Sequence, residues 1–202
     1  MAQTRWYREK KREHYYKEAK ALGYRARSAF KLQQIQKRFS IFSKGDTVID
    51  LGAAPGGWSQ VALEFVGDQG RVIAIDLSMM KPLPGVEVIQ GDISAESTQR
   101  ELAGVVHGQV EVVISDMSPD ITGNYSVDQA RSLWLCEQAL AVARKFLKPG
   151  GHFVCKLFEG EDSSGFFAQV KGQFRQIKRF SPEASRKASS EIYIIAKGLR
   201  LK

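Results

Sequence analysis

The sequence predicts an α/β protein built on a mostly parallel seven-stranded sheet, with one antiparallel strand and helices on both faces. Three observations carry this reading. Seven short apolar runs recur between residues 47 and 198, and segments of helical period separate most of them. The last two runs follow each other with no convincing helix between, so one of that pair runs antiparallel. A chain of 202 residues with 43% hydrophobic and 26% charged residues is also long and apolar enough for one substantial core.

The elements follow in order. Residues 5–22 and 26–38 read as helices interrupted at Gly23, with Leu32, Ile35 and Phe39 forming an apolar face on the second. After Lys44-Gly45-Asp46 the runs are "TVIDLG" (47–52), "RVIAIDL" (71–77), "VEVIQGD" (86–92), "VEVVISDM" (110–117), "HFVCKLF" (152–158), "FRQIKRF" (174–180) and "EIYIIAKG" (191–198). Helices are expected near 57–66, weakly near 95–105, strongly over 128–147, and near 164–173. Lys148-Pro149-Gly150-Gly151 stops the strong helix. No repeat or low-complexity linker divides the chain. It reads as one domain over 1–202, a basic helical segment at 1–44 followed by an α/β core at 45–202.

The net charge of +8 is unevenly placed. Residues 1–44 hold 13 lysines and arginines against three glutamates, a surplus of ten, so the remaining 158 residues carry −2. Trp6, Tyr7, Tyr15, Tyr16 and Tyr24 are interleaved with that charge. Cations for phosphates and flat rings for bases suit an RNA-facing surface better than a merely solvated helix face. A membrane partner is disfavoured, since no apolar stripe accompanies the charge and no apolar run approaches the roughly 20 residues of a bilayer span. The N-terminus has no apolar core of a secretory signal, and Glu9, Glu13 and Glu18 argue against a transit peptide. Cys136 and Cys155 read as small buried hydrophobes in a reducing, cytoplasmic setting. His14, His107 and His152 are scattered, so no metal is expected.

In an open α/β sheet, ligands bind outside the carboxyl ends of the strands. Asp50, Asp76, Asp92 and Asp116 each fall at or near the end of a successive strand. A single aspartate there is a common turn residue, but four in order mark a site. "DLGAAPGGWSQ" (50–60) supplies Gly52, Gly56 and Gly57, which let backbone approach a ligand, followed by a helix offering its amide end. Asp76 is placed to accept bonds from ribose hydroxyls, and Asp92 to hold an adenine amino group. The order Gly-x-Gly-x-x-Gly is absent. An adenosine with a compact tail, as in S-adenosylmethionine, therefore fits better than a dinucleotide.

These motifs, with "RARSAFKLQQI" (25–35), "SDMSP" (115–119), "FVCKLFEG" (153–160) and "SSEIYIIA" (189–196), resemble the FtsJ/RrmJ-type ribosomal RNA 2′-O-methyltransferases over nearly the whole chain. The resemblance implies a single methyltransferase domain of Rossmann-like S-adenosylmethionine-dependent fold. It implies cofactor contacts at Gly56, Trp58, Asp76, Asp92 and Asp116, and a Lys-Asp-Lys-Glu tetrad at Lys31, Asp116, Lys156 and Glu191. The implied substrate is a uridine ribose in large-subunit ribosomal RNA, free or within the subunit. The enzyme is expected to be a cytoplasmic monomer without metal, and its basic N-terminal segment is expected to do most of the docking.

Lys156 asks for such a setting on its own account. It lies in an otherwise apolar strand, and an ammonium there needs partners. A ribose 2′-hydroxyl is a weak nucleophile, so an enzyme must align it with an activated methyl and manage one proton. A lysine serves as base only if its pKa falls from about 10.4 toward roughly 7–8, and Lys31 is a cation suited to lowering it. Asp116 and Glu191 would push the other way, which favours orienting roles. Three rival readings are weaker. Cytosine C5 chemistry needs a cysteine in the cleft, and Cys155 should face away from it. Amine methylation favours Asn/Asp-Pro-Pro plus an aromatic, where "SDMSPD" keeps only the acid and one proline. A purely RNA-binding assembly factor would have no need of two lysines in an apolar cleft.

Overall fold

The computed structural model describes residues 15–185 and 190–201. Its strands are β1 (Thr47–Leu51), β2 (Arg71–Asp76), β3 (Val86–Gln90), β4 (Val110–Ser115), β5 (Leu147–Phe158), β6 (Phe174–Phe180) and β7 (Glu191–Leu199). The helices are α1 (Ala29–Phe39), α2 (Gly57–Val66), α3 (Glu96–Val105), α4 (Tyr125–Phe146) and α5 (Ser163–Gln173). Residues 15–21 are also helical, and the turn after them is centred on Gly23, as expected. The rest of the first expected helix, 5–14, lies outside the described residues.

All seven strands form one sheet in the order β3-β2-β1-β4-β5-β7-β6. The first five run parallel, and β7 is antiparallel to both β5 and β6. The sheet is the mostly parallel, seven-stranded one expected, with the single reversed strand inserted between two that point the same way. Parallel strands buried on both faces need continuous apolar runs, which is what Val48–Leu51 and Val72–Ile75 supply apart from Asp50. Ala29, Leu32 and Ile35 of α1 and Val61, Ala62 and Val66 of α2 cover one face. Residues of α3, α4 and α5 cover the other. Leu32 and Ile35 are fully buried, worth roughly 1.5–3 kcal/mol each, so α1 is part of the core rather than an appendage.

Two boundaries differ from expectation for local reasons. α4 begins at Tyr125 because the Asn124 side chain accepts the Val127 amide at 3.3 Å, an N-cap one turn ahead of the apolar pattern. β5 begins at Leu147 rather than His152. Leu147 pairs with Val110, and a register shift near Pro149-Gly150 precedes the Val112–His152 pairing, so the stop signal ends the helix and becomes a bulge.

Candidate active site

A cavity of about 430 Å³ opens beyond the carboxyl ends of the parallel strands, and Gly52, Asp76, Asp92 and Asp116 all line it. Asp76 is fixed by two backbone amides, Ala54 N–H to Oδ2 at 2.9 Å and Ser78 N–H to Oδ1 at 2.7 Å. Each oxygen keeps a further lone pair for a ligand hydroxyl. Asp92 Oδ1 accepts the Ser94 hydroxyl at 2.7 Å and the Ser94 amide at 2.8 Å, and these bonds hold its carboxyl below the usual range. Both acids are therefore rigid acceptors.

Asp50 is placed differently. It is fully buried, next in sequence to Leu51 and Gly52 of the cavity lining; Ser59 Oγ donates to Oδ2 at 2.7 Å, and Oδ1 has no hydrogen-bond partner. Burial pushes its carboxyl up to about 7; Ser59 opposes the rise, and the nearby Asp116 and Asp76 charges add to it. An acid in this state gains from a cation placed above it.

The glycine loop owes its composition to contacts within the protein. Gly52 has φ +71°, and a Cβ there would lie 2.6 Å from Met117 Cγ and 3.0 Å from its Cα, so the ends of β1 and β4 close together only without a side chain. A Cβ on Gly57 would meet that of Ala26 at 3.0 Å. Trp58 is buried, and its indole Nε1–H donates to Ser28 O at 2.9 Å. Gly56, Gly57 and Trp58 thus stand behind the cavity wall, against the 23–28 segment.

Antiparallel pairing of β5 and β7 brings Lys156 and Glu191 onto one face, where Asp116 after β4 and Lys31 of α1 meet them. Lys156 lies opposite Tyr193, and Glu191, two residues before Tyr193, projects from the same face. Lys156 Nζ donates to the Asp116 carbonyl at 2.6 Å and lies 3.2 Å from Asp116 Oδ1. From α1, Lys31 Nζ reaches Glu191 Oε1 at 2.6 Å. Burial alone would raise the Glu191 carboxyl; the Lys31 charge and hydrogen bond, the Ser185 hydroxyl and Lys156 outweigh it and hold the group below its usual range.

Tyr193 joins the two ion pairs. Its hydroxyl accepts from Lys31 Nζ at 3.2 Å and donates to Asp116 Oδ1 at 2.7 Å. Burial, with Asp116 and Glu191 beside it, pushes the phenol well above its ordinary pKa, so it remains a donor. The sequence reading missed this residue, since a tyrosine in an apolar strand looks like core. Its place two residues after Glu191 was the available signal.

Lys31 and Glu191 line a second cavity of about 760 Å³ with Arg27, Ile121 and Tyr125, and Ser118 borders both cavities. The cluster therefore stands where the two spaces meet. Cys155 packs in the core on the opposite face of the sheet, and Cys136 Sγ–H donates to Lys156 O at 2.9 Å. Among the described residues no group of three or more His, Cys, Asp or Glu side chains is placed to hold a metal, and no helix is long and apolar enough to cross a membrane.

Comparison with known proteins gives a consistent result. The family model for FtsJ-like methyltransferases matches residues 24–199. A curated relative from Methanothrix thermoacetophila, a ribosomal RNA large subunit methyltransferase E, is 48% identical over 188 residues, 93% of this chain and 73% of its own. The protein of that name from Methanobrevibacter smithii is 43% identical over 194 residues, 95% of this chain and 92% of its own. Among solved structures, a ribosomal RNA methyltransferase from Plasmodium falciparum superposes with TM-score 0.80 at 25% identity, covering 89% of this chain and 100% of that one.

Proposed function

This chain belongs to the FtsJ-like methyltransferase family and is an RNA methyltransferase, and on that premise we propose that it moves a methyl group from S-adenosylmethionine to a ribose 2′-hydroxyl, on a uridine, in large-subunit ribosomal RNA. The observation that carries the reading is that Asp116, which lines the first cavity, holds Lys156 Nζ at 2.6 Å through its carbonyl, and that Tyr193 ties it to the Lys31–Glu191 pair lining the second. The first cavity supports an adenosine with a cationic tail. Asp76 offers oriented oxygens to a ribose diol, Asp92 an acceptor for an adenine amine, and Asp50 a buried carboxyl with one unpartnered oxygen. Gly52, Asp76, Asp92 and Asp116 are the residues that would touch the cofactor, while Gly56, Gly57 and Trp58 would serve it by holding the loop.

Bound S-adenosylmethionine supplies an electrophilic methyl on a sulfonium. The chain's own residues do the rest. Lys31, Arg27 and the 118–125 loop surround the second cavity, where the target nucleotide would lie. Asp116 fixes the Lys156 amine through its carbonyl and carboxylate, and Glu191 fixes that of Lys31. Lys156 Nζ would receive the proton that the ribose hydroxyl gives up as it takes the methyl. Alignment of two bound groups carries much of the acceleration.

The test uses labelled S-adenosylmethionine, purified protein and large-subunit ribosomal RNA. Label in an alkali-resistant, ribose-methylated dinucleotide is the expected product. Label released as a methylated base would overturn the ribose assignment.

A further inference from the structure

By charge, Arg25 belongs with the basic segment that faces RNA. Its contacts are of another kind. Nη1 donates to Lys81 O at 2.6 Å and to Pro55 O at 3.2 Å, and Nη2 donates to Pro82 O at 2.7 Å. One guanidinium thus holds backbone carbonyls from two separate loops, one following β1 and one following β2. Those are the loops that Asp76 also holds, through Ala54 N–H and Ser78 N–H. Each loop is pinned twice, once by the acid and once by the arginine.

The surroundings deliver Arg25 to that position. Its own amide donates to Gln60 Oε1 at 2.8 Å, and Gln60 Nε2 donates to Gly23 O at 3.0 Å. Gly56, at φ +111°, leaves room for the side chain; a Cβ there would lie 3.2 Å from Arg25 Cδ and Nη1. A planar fork is suited to several fixed acceptors at once, whereas an ammonium is a single point of donors on a flexible stem. Three of its five N–H donors are committed to those carbonyls, which leaves a phosphate only the Nε and remaining Nη2 hydrogens.

We propose that Arg25 is a positioning residue for S-adenosylmethionine, locking the Pro55 and Lys81–Pro82 loops so that Asp76 presents its oxygens in one orientation, and that it is not an RNA phosphate ligand. The inference rests on the reading that the first cavity takes S-adenosylmethionine. It also links the two ligands physically. The segment that carries Arg25 continues directly into α1 and Lys31, so one stretch of chain sets both the cofactor loops and the amine facing the second cavity.

The experiment measures S-adenosylmethionine affinity by calorimetry and RNA affinity across salt concentrations, for wild type, Arg25→Ala and Arg25→Lys, with thermal melts alongside. Both variants should weaken S-adenosylmethionine on the order of tenfold, the loss expected for hydrogen bonds from a charged donor, and leave the RNA salt slope unchanged. Amide exchange of Ala54 and Ser78 should speed up in Arg25→Lys even without ligand, a readout that does not depend on the alanine variant folding well. An unchanged S-adenosylmethionine affinity with a salt slope lower by about one unit would make Arg25 a phosphate ligand and overturn the proposal. So would full rescue by lysine, since charge rather than the fork would then suffice. A wild-type protein that fails to bind S-adenosylmethionine would overturn the cofactor reading itself, whereas wild-type binding that neither variant alters overturns the role of Arg25 alone.

Discussion

Tyr193 faces Lys156 directly across the β5–β7 ladder, and both reach the same acceptor: the Tyr193 hydroxyl lies 2.7 Å from Asp116 Oδ1, and Lys156 Nζ lies 3.2 Å from it. The phenol is neutral and fully buried, so its contribution is to orient the carboxylate. Tyr193→Phe keeps the ring against Trp58 and removes both hydroxyl bonds, the one to Asp116 Oδ1 and the one from Lys31 Nζ. Stability should fall by about 1 kcal/mol, and single-turnover methyl transfer should slow, but by much less than on loss of Lys156. Melts and rapid-quench rates check both. A rate as low as that of Lys156→Ala would make the hydroxyl a direct participant.

Lys156→Ala should lower the rate by about 10²–10⁴, the usual range for acid–base catalysis, while both ligands still bind. Lys156→Arg is the sharper variant, because arginine keeps the charge and does not deprotonate at working pH. Proton transfer to Nζ requires the arginine enzyme to be slow as well. A near wild-type rate in Lys156→Arg would replace the base with electrostatic support of the developing alkoxide.

Asp50 gives the site a pH dependence of known sign. Its carboxyl is raised from 3.8 to about 7 by burial, so the folded protein holds a proton that the unfolded chain releases. The stabilisation from that proton is fully present below about 3.8 and is lost as pH rises toward about 7, at roughly 1.4 kcal/mol per unit of difference. Between pH 5 and pH 8 the ligand-free protein should therefore lose stability relative to Asp50→Asn. A cationic ligand above Asp50 favours the carboxylate, so S-adenosylmethionine should bind more tightly at pH 8 than at pH 6, with proton release. Calorimetry in buffers of different ionisation enthalpy reads that proton. Equal affinities at both pH values in wild type would exclude the link.

Deleting residues 1–14 removes Arg5, Arg8, Lys10, Lys11 and Arg12 and leaves Tyr15, whose ring lies 5.4 Å from that of Phe30. RNA affinity should fall, and its salt slope should flatten by roughly one unit for each phosphate that the shortened chain no longer neutralises. S-adenosylmethionine affinity should be unchanged. A deletion through residue 22 should cost stability as well, since Ala19 is buried. Salt titrations of the two deletions beside wild type separate docking from folding.

The sequence alone carried the sheet, its one reversed strand, the strand-end aspartates and the lysine in an apolar run, because each is a local pattern. Alternating apolar runs specify strands wherever they pack, and a charge inside such a run stands out without any structure. What tertiary structure decided is which groups share a contact. Asp50 and Asp76 both fall at a strand end, yet only Asp76 enters the cavity lining, since Asp50 lies one residue deeper in its strand and is fully buried. Arg25 and Lys31 belong to one basic segment, yet Arg25 holds backbone carbonyls and Lys31 an acid 160 residues away. Tyr193 reads as core until the antiparallel register sets it opposite Lys156. Strand pairing and the packing of α1 on α2 bring these partners together across long sequence separations, and no local pattern encodes that distance.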